Sequence, residues 1–358
     1  MNDKKYVHIF VLVIGLFFLC NGFLWNFLVK KTFVDHDGHG DLNRLGFYFS
    51  GYAATEQMSY DKKHMDFQDY ITNQRTDAID VLTIGDSFSN GGGGCFYQDY
   101  LADKYHKNVL HIMNNTSLNA VQLLYLINKF GYLDTIHPQT VILESVERSM
   151  NDRFGASDIL IPDMTREEFE RMLFRPKDNP ANDAKHKIAP GIMLQANRKF
   201  IKDRLMYSND NNALSHEVFA TRLNAPLFST PDNETLLMYF HDDLWYESTE
   251  PDYDAINSNI NKTAALLQSK NIRLIFMTNV DKYDLYYPYA LNKELHKENN
   301  FFETFDALPK SYHFVNTKRI LRELLAAGTK DVYWPDDTHW SWKAQQAVVD
   351  AMIDDIGR

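Results

Sequence analysis

The hydrophobic and polar positions along the chain fall into three regimes. Residues 7–29 (VHIFVLVIGLFFLCNGFLWNFLV) carry no Asp, Glu, Lys or Arg, and Lys4, Lys5, Lys30 and Lys31 flank them. About 20 apolar residues match a hydrocarbon core roughly 30 Å thick, which predicts a membrane-spanning helix. A cleaved signal peptide has an apolar stretch of similar length, but no small-x-small site follows. Asn21 and Gly22 lead straight into Phe23, Leu24 and Trp25. The expectation is an uncleaved anchor over 1–31. If the short lysine-bearing amino terminus stays inside, the rest of the chain lies outside the cytoplasm.

Residues 32–77 are mixed and polar, and read as a membrane-proximal lead-in. From residue 78 short apolar, β-branched runs alternate with helical spacing. Residues 78–85 (AIDVLTIG), 108–113 (NVLHIM) and 140–143 (TVIL) predict strands, and 119–130 (NAVQLLYLINKF) predicts a helix. The rhythm stops over 149–250, where six prolines sit among scattered aromatics. It resumes with a helical face of Ile256, Ile260, Ala264 and Leu267 and a strand at 272–277 (IRLIFM). A last helix starts after Ser341, which has the chemistry of an N-cap. Strands alternating with helices predict an α/β fold, a doubly wound parallel sheet flanked by helices. The domain spans 78–358, and 149–250 reads as an insertion capping one end of the sheet.

Composition narrows the function. Of 358 residues, 37 are Lys or Arg and 48 are Asp or Glu, a net charge of −11. That balance argues against a nucleic-acid partner, which requires a basic face. The two cysteines, Cys20 and Cys95, build neither a disulfide framework nor a four-cysteine zinc site. Cys20 falls in the apolar run, so the pair is read as unpaired. The 13 histidines form no metal-ligand spacing, and neither a metal nor a cofactor is expected.

In doubly wound sheets, sites form beyond the carboxyl ends of the strands. The first strand there runs into Gly85-Asp86-Ser87, where a turn holds a serine out of the sheet. Serine is a weak nucleophile and needs a base within hydrogen-bond reach. The segment before the last helix, Trp334-Pro335-Asp336-Asp337-Thr338-His339-Trp340, offers one. A carboxylate one or two residues ahead can orient the imidazole and stabilise its charged form. Alone, each motif could be a helix cap or surface turn; together they predict Ser87 as nucleophile and His339 as base. Asp336 and Asp337 are both chemically able to be the acid. Gly91–Gly94 reads as a loop bending around a substrate, because no Gly-Lys-Ser/Thr follows to make a phosphate loop.

Gly85-Asp86-Ser87 followed late in the chain by Asp336-x-x-His339 resembles the SGNH/GDSL hydrolase superfamily. Asp337-Thr338-His339-Trp340 resembles the D-x-H-W motif of its alginate O-acetyltransferase-like branch, which selects Asp337 as the acid and keeps Asp336 in reserve. The resemblance covers about 78–148 and 254–357, with serine ahead of histidine as in ordinary GDSL hydrolases. It implies an SGNH-like fold and a membrane-anchored O-acyltransferase, acetyl being the expected group, acting on a cell-surface or secreted polysaccharide. A multi-spanning membrane-bound O-acyltransferase would hand over the acyl group. Where GDSL hydrolases carry G-x-N-D this chain has Glu147 and Arg148; Arg148 suits oxyanion stabilisation, and a structural Arg–Glu pair is the alternative. Asn115, or a nearby backbone N–H, stands where the family offers an oxyanion donor, and Lys282 and Tyr283 where it offers substrate contacts, with packing under the cap as the alternative for that pair. A carbohydrate esterase and an inactive glycan-binding scaffold are the alternative functions.

Overall fold

The protein, described here by a computed structural model, is laid out for residues 3–30, 40–46, 58–114, 116–174, 190–209 and 215–357. Eight strands follow in chain order: β1 Met65–Asp66, β2 Val81–Ile84, β3 Val109–Ile112, β4 Thr140–Val146, β5 Val218–Arg222, β6 Leu236–Phe240, β7 Arg273–Asn279 and β8 His313–Asn316. Six form one parallel sheet in the order β1-β3-β2-β4-β7-β8. β2 to β4 and β7 are buried apart from Arg273, as expected of strands covered on both faces.

The chain leaves β2 toward β3, then reverses across it to β4 and onward to β7 and β8. Right-handed crossovers put the connecting helices on opposite faces at that reversal. Helices Tyr97–Lys104, Thr317–Ala326 and Trp342–Ile356 pack together on one face, and Ala120–Lys129 and Tyr253–Gln268 cover the other. The reversal opens a crevice between the carboxyl ends of β2 and β4, where doubly wound folds place their sites.

Local chemistry sets the helix ends. Asn119 and Gln122 form a reciprocal capping box at the start of Ala120–Lys129. The Ser341 hydroxyl accepts from the Lys343 amide at the start of the last helix. Asn316 likewise caps Thr317–Ala326.

At the amino terminus Asp3–Leu24 is an α-helix continuing into a π-turn over Trp25–Val29. Lys4–Val29 is long and apolar enough to cross a membrane, with an 18-residue stretch of mean hydropathy 2.4. Its carboxyl end packs Trp25 and Val29 against Ala196 and Phe200 of helix Pro190–Asn209, and Asn197 Nδ2 donates to the Asn21 carbonyl at 2.9 Å.

Two segments outside the predicted alternation pack against it. The lead-in contributes to the domain: β1 adds an edge strand, and the short helix Asp41–Gly46 buries Leu42 against the β5–β6 hairpin. Segments of two and six residues are too short to show periodicity. The described part of 149–250 lies mainly away from the crevice between β2 and β4. Its hairpin packs against Asp41–Gly46 and helix Lys282–Tyr286, and among the described residues of 149–250 Asp152 and Arg153 line the crevice. The hairpin's apolar positions find their partners behind the sheet end.

Phe276 of β7 is fully buried between the rings of Phe154 and Tyr312, at centroid distances of 5.7 and 6.0 Å. Phe276→Ala leaves a cavity there and is expected to lower the unfolding free energy by about 3–5 kcal/mol. Denaturant titration of the full chain in detergent, followed by tryptophan fluorescence, measures it.

Candidate active site

The crevice begins where β2 ends. Ser89 and Asn90 amides both donate to the Asp86 carbonyl, making one helix-like turn. Gly91, at φ +80°, breaks that turn; a short 3-10 turn over Gly92–Gly94 follows, and no α-helix forms until Tyr97. Ser87 sits exposed on this turn, whereas its neighbour Phe88 is fully buried.

The turn rests on the strand ends beside it. The Asp86 carboxylate accepts from the amides of Phe88 and Val146, and Arg153 Nη1 donates both to it and to Ser145 Oγ. Burial opposes the charged form of Asp86, but Arg153 outweighs it and holds the carboxyl below its ordinary value. Glu144, fully buried at the end of β4, accepts from the Asp86 amide at 2.8 Å and from Asn279 Nδ2 at 2.7 Å. Burial, then the Asp86 charge, pushes its carboxyl well up. Nothing local in the sequence marks Arg153 or Glu144 for these roles.

Opposite Ser87, Tyr333 and Trp340 pair as an antiparallel bridge, and 334–339 form the tip of that hairpin. His339 Nε2 lies 2.8 Å from Ser87 Oγ, and its Nδ1 lies 2.6 Å from Asp337 Oδ1. The same Asp337 oxygen accepts from the His339 amide at 2.9 Å. The carboxylate thereby holds the proton on Nδ1 and leaves Nε2 to accept from the serine hydroxyl. Phe88 lies against the imidazole at 4.8 Å between centroids.

Gly92 explains part of the glycine run. A Cβ there would run into the imidazole and the Ser87 carbonyl, to which the Gly92 amide donates at 2.7 Å. The loop expected to bend around a substrate bends around the base.

The other candidates are placed as follows. Asp336 is buried and accepts from the Gly40 amide at 2.8 Å. Burial pushes it up to about 6. Its hydrogen bond leads to the lead-in and not to the imidazole. The Lys282 ammonium is buried, donating to the carbonyls of Trp334, Pro335 and Asp337 at 2.6, 3.0 and 2.9 Å. It braces the hairpin tip and does not face the crevice. Tyr283 is buried against Tyr239, 4.4 Å between centroids, and lines a separate recess behind the hairpin. Of the two arrangements expected for this pair, the side chains take the packed one, because residues 282–286 form a helix packed beneath β6.

Arg148 takes neither arrangement expected of it. Its Nη1 pairs with Asp281 and Asp243, while Glu147 accepts from the Asp281 amide and Asn299. Asn115 lies outside the described residues. Cys95 is buried, and burial pushes its thiol up to about 12.

A residue the motifs did not indicate completes the site. Asp41 Oδ2 lies 3.6 Å from His339 Nδ1. Asp41, Asp337 and His339 form a trio of ligand atoms within 4.8 Å, the one such group among the described residues. Their facing atoms are already engaged with one another and with Thr338, which leaves hydrogen bonding as the account of the cluster.

Electrostatics follow from this packing. Burial would depress His339, but the hydrogen bond and charge of Asp337, joined by the Asp41 charge, hold it above its ordinary value. Burial would raise Asp337; the His339 hydrogen bond and charge overcome it and bring it to about 2. The cleft around Ser87 encloses about 740 Å³ and is lined mainly by polar groups, among them Asn90, Asn114, Thr116, Asn119, Gln122 and Arg153. The Ser87 amide has no hydrogen-bond partner among the described residues.

A fluorophosphonate probe reads the serine directly. Labelling at Ser87 needs neutral His339, so its rate is expected to rise with pH along a limb centred above the ordinary 6.5. The sign is opposite for folding. The raised His339 contributes stability that is complete below 6.5 and lost as pH rises through its folded value. Gly92→Ala, which drives a methyl group into the imidazole, is expected to slow labelling at least about tenfold. Mass spectrometry of the labelled peptide measures both.

The chain was compared with protein-family models, curated proteins and solved structures, and none of them matches it.

Proposed function

We propose that this chain is a membrane-anchored serine O-acyltransferase of SGNH type, with its catalytic domain outside the cytoplasm. It moves a short acyl group, acetyl in the first instance, onto a hydroxyl of a cell-surface or secreted polysaccharide. The observation that carries the reading is the unbroken relay from Ser87 Oγ through His339 to Asp337, with contacts of 2.8 and 2.6 Å.

In this reaction Ser87 Oγ attacks the acyl carbonyl while its proton passes to His339 Nε2. The Ser87 amide, which has no partner among the described residues, would donate to the developing oxyanion. As the tetrahedral intermediate collapses, the bond to the donor's leaving group breaks and His339 returns the proton to that group. An acyl-serine remains. A sugar hydroxyl then attacks it, His339 takes the hydroxyl proton, and the Ser87 Oγ–acyl bond breaks with the proton restored to serine. Asp337 stabilises the imidazolium in both halves.

Two further features support the reading. A cleft walled by amides, hydroxyls and a guanidinium suits a hydroxyl-rich acceptor and a short acyl group better than a lipid tail. The apolar helix Lys4–Val29 can hold the domain beside a multi-spanning membrane acyl donor. The open, solvent-exposed Ser87 favours a second reading, an esterase in which water takes the place of the sugar hydroxyl.

The full chain in detergent is expected to cleave p-nitrophenyl acetate. Ser87→Ala and His339→Ala should each lower the rate at least about a thousandfold, and Asp337→Asn by about four orders of magnitude. Activity unchanged by both alanine variants would remove the triad. Incubation with an acyl donor and oligosaccharides separates the two readings: acylated sugar in the mass spectrum supports transfer, and free acetate alone, with every acceptor, supports the esterase.

A further inference from the structure

We infer that Asp41 is a positioning residue of this relay, a second carboxylate that the membrane-proximal segment lays against the catalytic imidazole and its turn. The inference rests on the proposed acyl-serine chemistry and names a participant that neither the Gly-Asp-Ser nor the Asp-Thr-His-Trp motif contains.

Its geometry is reciprocal. Asp41 Oδ1 accepts from the Thr338 amide at 2.7 Å and Oδ2 from the Thr338 hydroxyl, while the Asp41 amide donates to Asp337 Oδ2 at 3.2 Å. One residue thus grips both the acid and the residue between acid and base. Neighbouring contacts seat it: the Gly40 amide donates to Asp336 Oδ2, the Asn43 amide to the Asp336 carbonyl, and Leu42 is fully buried against Val218, Ala220 and Met238. Asp337 Oδ2, the oxygen not bound to the imidazole, therefore has a donor, which keeps Oδ1 turned to Nδ1.

The second effect is charge. His339 Nδ1 is 2.6 Å from Asp337 and 3.6 Å from Asp41, and its side chain is 12% exposed. From the end of β4, Arg148 opposes the imidazolium but is neutralised by Asp281 and Asp243. Behind the turn, Lys282 spends its ammonium on three carbonyls, and Asp336 points to Gly40. The groups facing the imidazole edge are then two carboxylates. Holding both there is costly: burial and the Asp337 charge raise the Asp41 carboxyl, and His339 and Thr338 pull it back. That cost is repaid when His339 takes the serine proton, because the imidazolium forms between two negative groups.

The test compares full-length wild type with Asp41→Asn, Asp41→Ala and Thr338→Val in detergent. Two readouts are used: the pH profile of p-nitrophenyl acetate cleavage, and the His339 imidazole titration followed by nuclear magnetic resonance with ring-15N histidine. Asn keeps an acceptor for Thr338 but no charge. It is expected to move the acidic limb and the His339 titration down by about one pH unit, the effect of one charge at this separation in a water-like medium. Thr338→Val, which keeps the charge, should lower the plateau with little movement of the limb. Asp41→Ala should do both.

An Asp41→Asn limb and titration superimposed on wild type would overturn the inference, whatever the plateau does. If wild type cleaves no ester, the acyl-serine reading fails. The titration still decides whether Asp41 acts on His339: a shift retains that action and no shift overturns it.

Discussion

A buried ammonium organises the site. Lys282, 1% exposed, turns its Nζ to the carbonyls of Trp334, Pro335 and Asp337. An ammonium without partners in such a place would be prohibitive, so it binds the hairpin tip as firmly as the tip binds it. Burial lowers the lysine to about 8 even so. Three carbonyls converging on one point fix the backbone from 334 to 337, and with it the direction in which Asp337 and His339 leave the chain. The Trp334 indole adds a hydrogen bond to the Gly93 carbonyl, tying the hairpin to the loop that carries Ser87.

The opposite half of the site is braced by charge as well. Arg153 reaches from the start of the insertion to Asp86, and Asp86 in turn bridges its own turn to the amide of Val146 at the end of β4. Glu144 closes the same corner from below. Ser87 is thus exposed on a turn whose neighbouring groups are engaged in hydrogen bonds. Both halves meet over Gly92, where only a hydrogen atom fits beside the imidazole.

The membrane side of the protein reaches the same place. The end of the apolar helix packs on Pro190–Asn209; from that helix Lys199 donates to the Leu45 carbonyl, and segment 40–46 lies on the hairpin tip. The turn that carries His339 and the apolar helix are therefore joined by contacts as well as by chain.

Much of the framework was legible in sequence. Buried parallel strands are short apolar runs, so β2, β3, β4 and β7 stand out, and the helical faces of 253–268 and 342–356 show their period. β8 (His313–Asn316) and β5 escaped because their burial is uneven and their runs are not purely apolar, and β6, though apolar, is a short run within the proline-rich stretch. The serine, the histidine and the two aspartates could be named because reactive groups of fixed chemistry sat after strands and in a proline-started turn. The residues alone left both aspartates able to meet the imidazole, the motif resemblance favoured Asp337, and the residues that stand around the ring could not be named. Asp336 and Asp337 differ by one position, and only the hairpin's direction turns one to His339 and the other to Gly40. Lys282 and Tyr283 look like substrate contacts in one dimension; packing beneath β6 buries them. Asp41, Glu144 and Arg153 lie in segments without a motif, and their roles arise from approach across 296, 58 and 67 positions of chain. Sequence determines which groups can react; the fold alone decides which come within 3 Å of one another, because those distances depend on contacts between segments that carry no record of each other.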